Sequence, residues 1–300
     1  MSLDYLTEDN DVAEILIDID GKIMPAKIDK IALIDADTLA YTACLNTEEC
    51  EALLPWEMYT EDEILEIEAN PNYDEEACGI WTINIDIAYD KAMEKLQRIL
   101  DKTGCQDAEM YFTHGKNFRY TVDSSYKAHR TGRAPTGLYE LKKKLNNTFP
   151  GEICEEIEAD DIVVYKARAE PEKYVMVAVD KDLLYAVPGI HFNYYESARY
   201  NIEMKWMPEC DSITAITWPY KQAIIGDTAD NIKGIKGMGP AAANKVFAGC
   251  NSEKECWDAL VLTYESKGKS SIEALQTMQL VHMHQWDGTN IQLFNPRKIV

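Results

Sequence analysis

Two short runs constrain the fold more than any others: Lys30-Ile-Ala-Leu-Ile-Asp35 and Lys173-Tyr-Val-Met-Val-Ala-Val-Asp180. Each reads as a buried strand that ends in a carboxylate. The second is too apolar to lie at a sheet edge, because a strand without a polar face must be covered on both sides. Further short strands are expected at Glu109-Met-Tyr-Phe-Thr113 and His191–Tyr195. Helical patterns separate them. Asp37-Thr-Leu-Ala-Tyr-Thr-Ala-Cys44 opens a helix capped by Asp or Thr, and Ile85–Lys102 runs to a stop at Gly104. Leu138–Phe149, Ile157–Ala169 and Pro219–Gly226 are also helical, and two more helical patterns close the chain. Strands alternating with helices predict an α/β fold with a parallel sheet and right-handed crossovers.

Charge divides the chain. Residues 1–80 carry 22 Asp/Glu against 3 Lys/Arg, a balance of −19, while the other 220 carry 30 against 27, or −3. The net −22 therefore belongs mostly to the N-terminal region and does not exclude a polyanionic partner for the body. Residues 13–28 alternate around Asp20-Gly21 as a hairpin. Residues 46–79 form an acidic insertion, helical around Glu61–Ala69. No run of apolar residues reaches membrane-spanning length, and the first ten residues lack the pattern of a signal peptide. The eight cysteines are scattered without a CxxC pair, so a reduced, cytoplasmic protein is expected; a monomer is expected as well.

Acidic groups recur where strands end or helices begin: Asp35 with Asp37, Glu158 with Asp160 and Asp161, Asp180 with Asp182, and Asp227 with Asp230. The carboxyl ends of parallel strands line the ligand crevice of such sheets. Acids this close repel unless a cation lies among them. Oxygen ligands without a matching His/Cys set suit Mg2+ or Mn2+. A pair of such ions clamps the attacking and leaving oxygens of a phosphodiester.

Residues 115–133 are the most basic stretch and interleave aromatics. Arg119, Lys127 and Arg130 are candidate phosphate contacts, and Tyr126 a candidate base-stacking platform. Gly234-Ile-Lys-Gly-Met-Gly-Pro240 is a second grip, with Gly234, Gly237 and Gly239 letting the backbone approach a phosphate and Pro240 opening a helix. No Gly-Lys-Ser/Thr follows, so a nucleotide P-loop is excluded.

In series these motifs resemble the flap-endonuclease superfamily, most closely its phage 5′→3′ exonucleases. The resemblance rests on Leu33-Ile-Asp35, Phe118-Arg119, Tyr126-Lys-Ala-His-Arg130, Glu158-x-Asp-Asp161, Asp180-x-Asp182, Gly226-Asp-x-x-Asp-Asn231 and the Gly-Ile-x-Gly-Met-Gly-Pro turn. It covers roughly Ile31–Thr42 and then Met110 onward. It implies a PIN-like nuclease core at 31–217, an acidic N-terminal extension at 1–30, an arch at about 115–150, and a helix–two-turn–helix region at 218–300 that binds duplex DNA around a K+ ion. Asp35, Glu158 and Asp160 would hold one Mg2+, and Asp180, Asp182 and Asp230 another, with Asp161 and Asp227 supporting through water and Mn2+ able to substitute. Lys127 and Arg130 would stabilise the phosphate charge. Gly234, Gly237, Gly239 and Lys245 would meet the duplex. The implied substrates are double-stranded DNA with 5′ ends, nicks or flaps, and RNA–DNA hybrids. The family has Phe-Asp after its second strand, whereas this chain reads Phe112-Thr-His114, leaving His114 or nothing in that place.

Two other readings stay open. Ile31-Ala-Leu-Ile-Asp-Ala-Asp-Thr-Leu39 also looks like the first motif of haloacid-dehalogenase-type phosphatases, with Asp35 as nucleophile and Asp37 as general acid. A non-catalytic DNA-structure binder with purely structural acids is the other.

Overall fold

The computed structural model describes residues 15–17, 23–25 and 27–299. The expected hairpin is an antiparallel pair, β1 (Ile15–Ile17) and β2 (Ile23–Pro25), with Leu16 opposite Met24. Its turn at Asp20-Gly21 lies outside the described residues. There follow β3 (Ile28–Asp35) and α1 (Asp37–Leu45). The cap expectation for α1 fails. Ala36 is the N-cap and makes no side-chain cap bond, because the carboxylate of Asp37 is drawn across to the next strand.

The acidic insertion is a small structured lobe. Strands β4 (Glu49–Ala52), β5 (Tyr73–Asp74) and β6 (Gly79–Thr82) form an antiparallel sheet in the order β4-β6-β5, with α2 (Glu61–Glu68) between β4 and β5. A capping box between Thr60 and Glu63 starts α2. The long α3 (Ile85–Thr103) ends on Gly104 at φ 76°, the left-handed conformation that glycine adopts without strain.

The core continues with β7 (Cys105–Asn117), α4 (Arg119–Val122), α5 (Leu138–Thr148), β8 (Gly151–Glu156), α6 (Ala159–Ala169), β9 (Tyr174–Ala178), α7 (Lys181–Leu184), β10 (Phe192–Asn193) and β11 (Lys205–Trp206). The six-stranded sheet runs β11-β10-β9-β3-β7-β8, parallel throughout except for β11 at one edge. The two apolar runs are thus central neighbours. Alternation along β3 sends Ala32 and Ile34 into a core beneath α1, α3 and α5, and Leu33 into a second core beneath α6 and α7. Strand β8 was not expected, since only Cys154 within it is fully buried and its sequence is that of a polar edge.

A third core joins α8 (Ser212–Ile225), α9 (Pro240–Phe247), α10 (Glu253–Ser266) and α11 (Ser271–Val281), with the short pair β12 (Gly226–Asp227) and β13 (Ile232–Lys233) between α8 and α9. The expected start of α8 at Pro219 is corrected: the helix begins at Ser212 and runs through the proline. An interior proline costs about 3 kcal/mol. Burial of Ala215, Tyr220, Ala223 and Ile224 around it offsets that cost.

Gly151 begins β8 against Met110 at φ 139°, and an added Cβ would stand 1.7 Å from the Met110 carbonyl oxygen. Gly151→Ala is expected to destabilise the fold by roughly 2–5 kcal/mol. Urea unfolding measures this, and a change under about 0.5 kcal/mol would contradict the packing at that edge.

Candidate active site

The topology brings the acids together. Asp35 ends β3, Asp180 follows β9, and Glu158 and Asp160 follow β8 at the start of α6. All therefore lie at the carboxyl edge of one parallel sheet. Asp230 reaches the same place from the β12–β13 connection. A cavity of about 420 Å³ is lined by Asp35, Glu158, Asp160, Asp180 and Asp230, with Asp37, Lys127 and Arg130 on its wall.

Local bonds hold these groups. The hydroxyl of Tyr194 donates to the Asp35 carbonyl (2.7 Å), fixing the strand end. The Asp180 carboxylate caps α7 by accepting from the Asp182 amide (2.8 Å). Glu158 occupies the N-cap position of α6 without capping it, because its oxygens are taken by the Lys127 ammonium, by Arg119 (3.0 Å) and by the Tyr126 hydroxyl (3.0 Å). Asp230 accepts from Arg130 (2.6 Å) and shares the single Tyr126 hydroxyl hydrogen with Glu158, at 3.0 Å from each.

The remaining three expected ligands do not line the cavity. Asp161 is fully buried, with both oxygens held by Arg119 at 2.7 and 2.8 Å. Both oxygens are taken by the Arg119 guanidinium, so the expected support through water is corrected to support through a buried ion pair. Asp182 accepts from Gln222 (2.6 and 2.7 Å) and from the Trp218 indole (3.1 Å), which tie it to α8. Asp227 accepts from the amides of Ala229 (2.7 Å) and Asp230 (3.3 Å) and so shapes the turn that presents Asp230.

The basic stretch divides in the same way. Arg119 is 2 % exposed and bonds the carbonyls of Leu280 (2.9 Å) and His282 (3.4 Å) besides its two acids. It cannot reach a phosphate, and its expected DNA contact is corrected to an internal strut. Tyr126 is 3 % exposed, packed edge-on to Tyr120, with its hydroxyl on the acids, so base stacking on it is also ruled out. Lys127 and Arg130 do face the cavity.

The glycines separate too. A Cβ on Gly234 would lie 2.3 Å from the Ile225 carbonyl carbon, so this glycine serves close packing against α8 rather than a ligand. Gly237, at φ 82°, and Gly239 border open space, and Lys245 is exposed on α9. His114 stacks on Tyr139 (centroids 4.1 Å apart) and is not on the cavity wall. Lys142, which sequence reasoning passed over, is buried and reaches Asp37 (2.6 Å) and the Thr113 carbonyl (2.8 Å). The Thr113 amide also donates to Asp37. Both oxygens of Asp37 are thus engaged by the protein's own ammonium and amide, a structural commitment that disfavours the free acid the phosphatase reading needs.

Electrostatics mark the cavity as strained. Burial first, then Asp37 and Asp180, push Asp35 from an ordinary 3.8 up to about 7. Burial, then Asp35 and Glu158, push Asp160 well above the usual range, and burial raises Asp180. Asp182 is pushed up to about 6 by burial and Asp180. Burial also pushes on Glu158, but Arg119 and Lys127 outweigh it and hold that carboxyl below its ordinary value.

No protein-family model matches the chain. It is similar to the thermostable DNA polymerase I of Thermus aquaticus, 25% identical over 225 residues that cover 69% of this chain and 25% of that protein. It is also similar to the DNA polymerase I of Rhizobium leguminosarum, 32% identical over 147 residues covering 44% of this chain and 14% of that protein. The chain thus spans a quarter or less of the length of these relatives. Among solved structures, a zinc-bound T5 5′-exonuclease aligns with a TM-score of 0.53 at 13% identity, over 85% of this chain and 90% of that one. The T5 D15 protein co-crystallised with metal ions aligns with a TM-score of 0.51 at 16% identity, over 65% and 83%. The fold is therefore that of the T5 5′-exonuclease structures.

Raised carboxyl pKa values carry a signed consequence. A folded state that binds protons more tightly than the unfolded chain is favoured at low pH and loses that advantage as pH rises through the folded pKa. For Asp35 the window runs from 3.8 to about 7. In chelator, the melting temperature is expected to fall across this window, by an amount equivalent to roughly 1–4 kcal/mol. Asp35→Asn should flatten the fall and raise stability above pH 7. A melting temperature that is flat or rising with pH, and equal in both proteins, would contradict the strain.

Proposed function

We propose that the protein is a divalent-metal-dependent 5′-nuclease that hydrolyses phosphodiesters at the 5′ ends, nicks or flaps of duplex DNA and leaves 5′-phosphates, with RNA–DNA hybrids as further substrates. The observation that carries this is the meeting of six carboxylates with Lys127 and Arg130 in one open cavity at the carboxyl edge of the sheet. The names borne by the similar proteins, DNA polymerase I and 5′-exonuclease, agree with it.

The donor set fits hard dications. It is all carboxylate oxygen, and the upward push on Asp35, Asp160 and Asp180 is relieved by positive charge among them. Asp35, Glu158 and Asp160 would hold one Mg2+. Asp180 and Asp230 would hold the second, with Asp182 and Asp227 behind them. When bound, such ions supply a water of lowered pKa and neutralise developing charge on the phosphate.

The chain's own residues do the rest. Lys127 and Arg130 are kept at the cavity by Glu158 and Asp230, and donate to phosphate oxygens as negative charge builds there. The left-handed backbone of Lys127 (φ 55°), whose amide donates to the Asp230 carbonyl (2.8 Å), aims its side chain inward. Gly237, Gly239 and the N-terminus of α9, with Lys245 alongside, form a surface that takes duplex phosphates and, by the family resemblance, a K+ ion. In this reading the division at about residue 217 puts the duplex grip after it, while Asp230, its turn shaped by Asp227, reaches back from that side to the cavity.

Digestion of 5′-labelled blunt, nicked and flapped duplexes with and without Mg2+ tests the reading. Mg2+-dependent release of short 5′ products is expected, and Asp180→Asn should slow it by at least about 100-fold while duplex binding persists. Unchanged turnover in that variant, or binding without any cutting by the wild type, contradicts the assignment. Lys127→Ala and Arg130→Ala should each lower kcat by roughly 10²–10³ with a smaller change in Kd. Loss of affinity at constant kcat would demote them to positioning contacts.

A further inference from the structure

Behind the acidic cavity a second group of ligating side chains comes together from separate elements. Helices α10 and α11 are joined by a short turn and pack against each other, so the start of α10 meets the end of α11. Glu253 is the first residue of α10, His282 is the C-cap of α11, and His284 lies two residues beyond. One ligand atom from each lies within 4.8 Å of the others. The gap between the His282 Nε2 and a Glu253 oxygen is 4.0 Å.

Acids are common in first helical turns, where the dipole favours them, so Glu253 alone means little. The imidazoles are different. His282 is 5 % exposed, and its Nε2 has no hydrogen-bond partner among the described residues. Buried polar atoms are nearly always satisfied, so an orphan aimed at a carboxylate and a second imidazole needs a reason. His284 Nε2 lies 2.9 Å from the Ala186 carbonyl. A carbonyl only accepts, so the ring carries its hydrogen on Nε2 and leaves the Nδ1 lone pair free. That backbone anchor is the outer support typical of metal-binding histidines. A cavity of about 10 Å³, the size of one water, lies against both rings.

Burial, then His284 and Arg168, hold His282 well below its ordinary pKa, and burial with Arg168 pushes His284 down to about 4. Both rings are therefore neutral ligands at physiological pH. Arg168 opposes a cation nearby, and Glu253 supplies the charge that offsets it. Coordination at His282 Nε2 moves that ring's hydrogen to Nδ1 and gives up the weak bond from the His284 amide (3.2 Å). This favours an ion with strong affinity for imidazole nitrogen.

We propose that Glu253, His282 and His284 form a second metal site, separate from the carboxylate cavity, that takes Zn2+ or a similar borderline ion in preference to Mg2+. Two imidazoles and one carboxylate are a tetrahedral zinc set with a fourth position for water. The ion would clip α10 to the segment after α11, and through Ala186 to the loop beyond α7, so that the duplex-gripping helices are fixed to the catalytic core. The site does not rest on the nuclease reading, since it lies outside that machinery.

The test is Zn2+ and Co2+ titration of the full chain in excess Mg2+, which saturates the carboxylate cavity. One equivalent should still bind, with the visible absorption of tetrahedral Co2+ and a rise in melting temperature on adding Zn2+. Glu253→Ala and His284→Ala should each weaken binding by about 100-fold or more and remove the absorption. If His284→Ala does not fold, Glu253→Ala decides alone, because its side chain is 38 % exposed and its loss is tolerable. Equal Zn2+ binding by wild type and Glu253→Ala, or no binding in excess Mg2+, overturns the proposal.

Discussion

Carboxylates that repel one another are forced together by the strand ends that carry them. Asp35, Asp160 and Asp180 share one edge of the sheet; Asp180 raises the pKa of Asp35 and Asp160, and Asp35 raises that of Asp160. Two like charges about 4 Å apart cost roughly 4 kcal/mol at the effective dielectric of a protein surface. The fold tolerates this because the strands are committed elsewhere. Leu33, Ile34, Met176 and Val177 are buried on both faces of the sheet, and their burial fixes where the next carboxylate falls. The apolar core thus positions a site that is unfavourable by itself, as functional sites commonly are.

Cations of the protein answer part of the repulsion, and each ties a different segment to the site. Arg119 spans Glu158, Asp161 and the carbonyls at the end of α11, joining the start of α6 to residues about 120 positions further along. Lys127 and Arg130 tie the segment after α4 to Glu158 and Asp230. Lys142 answers Asp37. Buried pairs like Arg119–Asp161 contribute little net stability, since desolvation consumes most of the attraction. What the pair does geometrically is join α6 to the end of α11, through the Leu280 and His282 carbonyls bonded to Arg119. Asp35, Asp160 and Asp180, by contrast, have no salt-bridge partner among the described residues, and Lys142, Lys127 and Lys181 act on them only at longer range.

Much of this was legible from residue order. The unbroken apolar runs that became β3 and β9 left no other position in a sheet, and the helical pattern with a glycine stop located α3 to within a residue or two. Carboxylates at strand ends identified the cavity for the same reason. What was not legible depended on partners distant in the chain. Asp160 and Asp161 are adjacent and chemically identical, yet one helical step of about 100° turns the first to the cavity and the second to Arg119. Asp180 and Asp182 separate in the same way, the second claimed by Gln222 of α8. Arg119 and Tyr126 looked like exposed ligand contacts because their neighbours are basic. Their burial comes from α11 and from the acids themselves. Pro219 signalled a helix start, and only the packing around α8 overrode it. Lys142 sits in a run of three lysines, with nothing local to distinguish the one that enters the core.

The most direct measurement is anomalous diffraction from crystals of the protein soaked in Mn2+. Two strong peaks are expected inside the cavity, one among Asp35, Glu158 and Asp160 and one beside Asp180 and Asp230. Those side chains clustered as described, with no manganese among them at saturating concentration, would contradict the claim that the site is built around divalent cations.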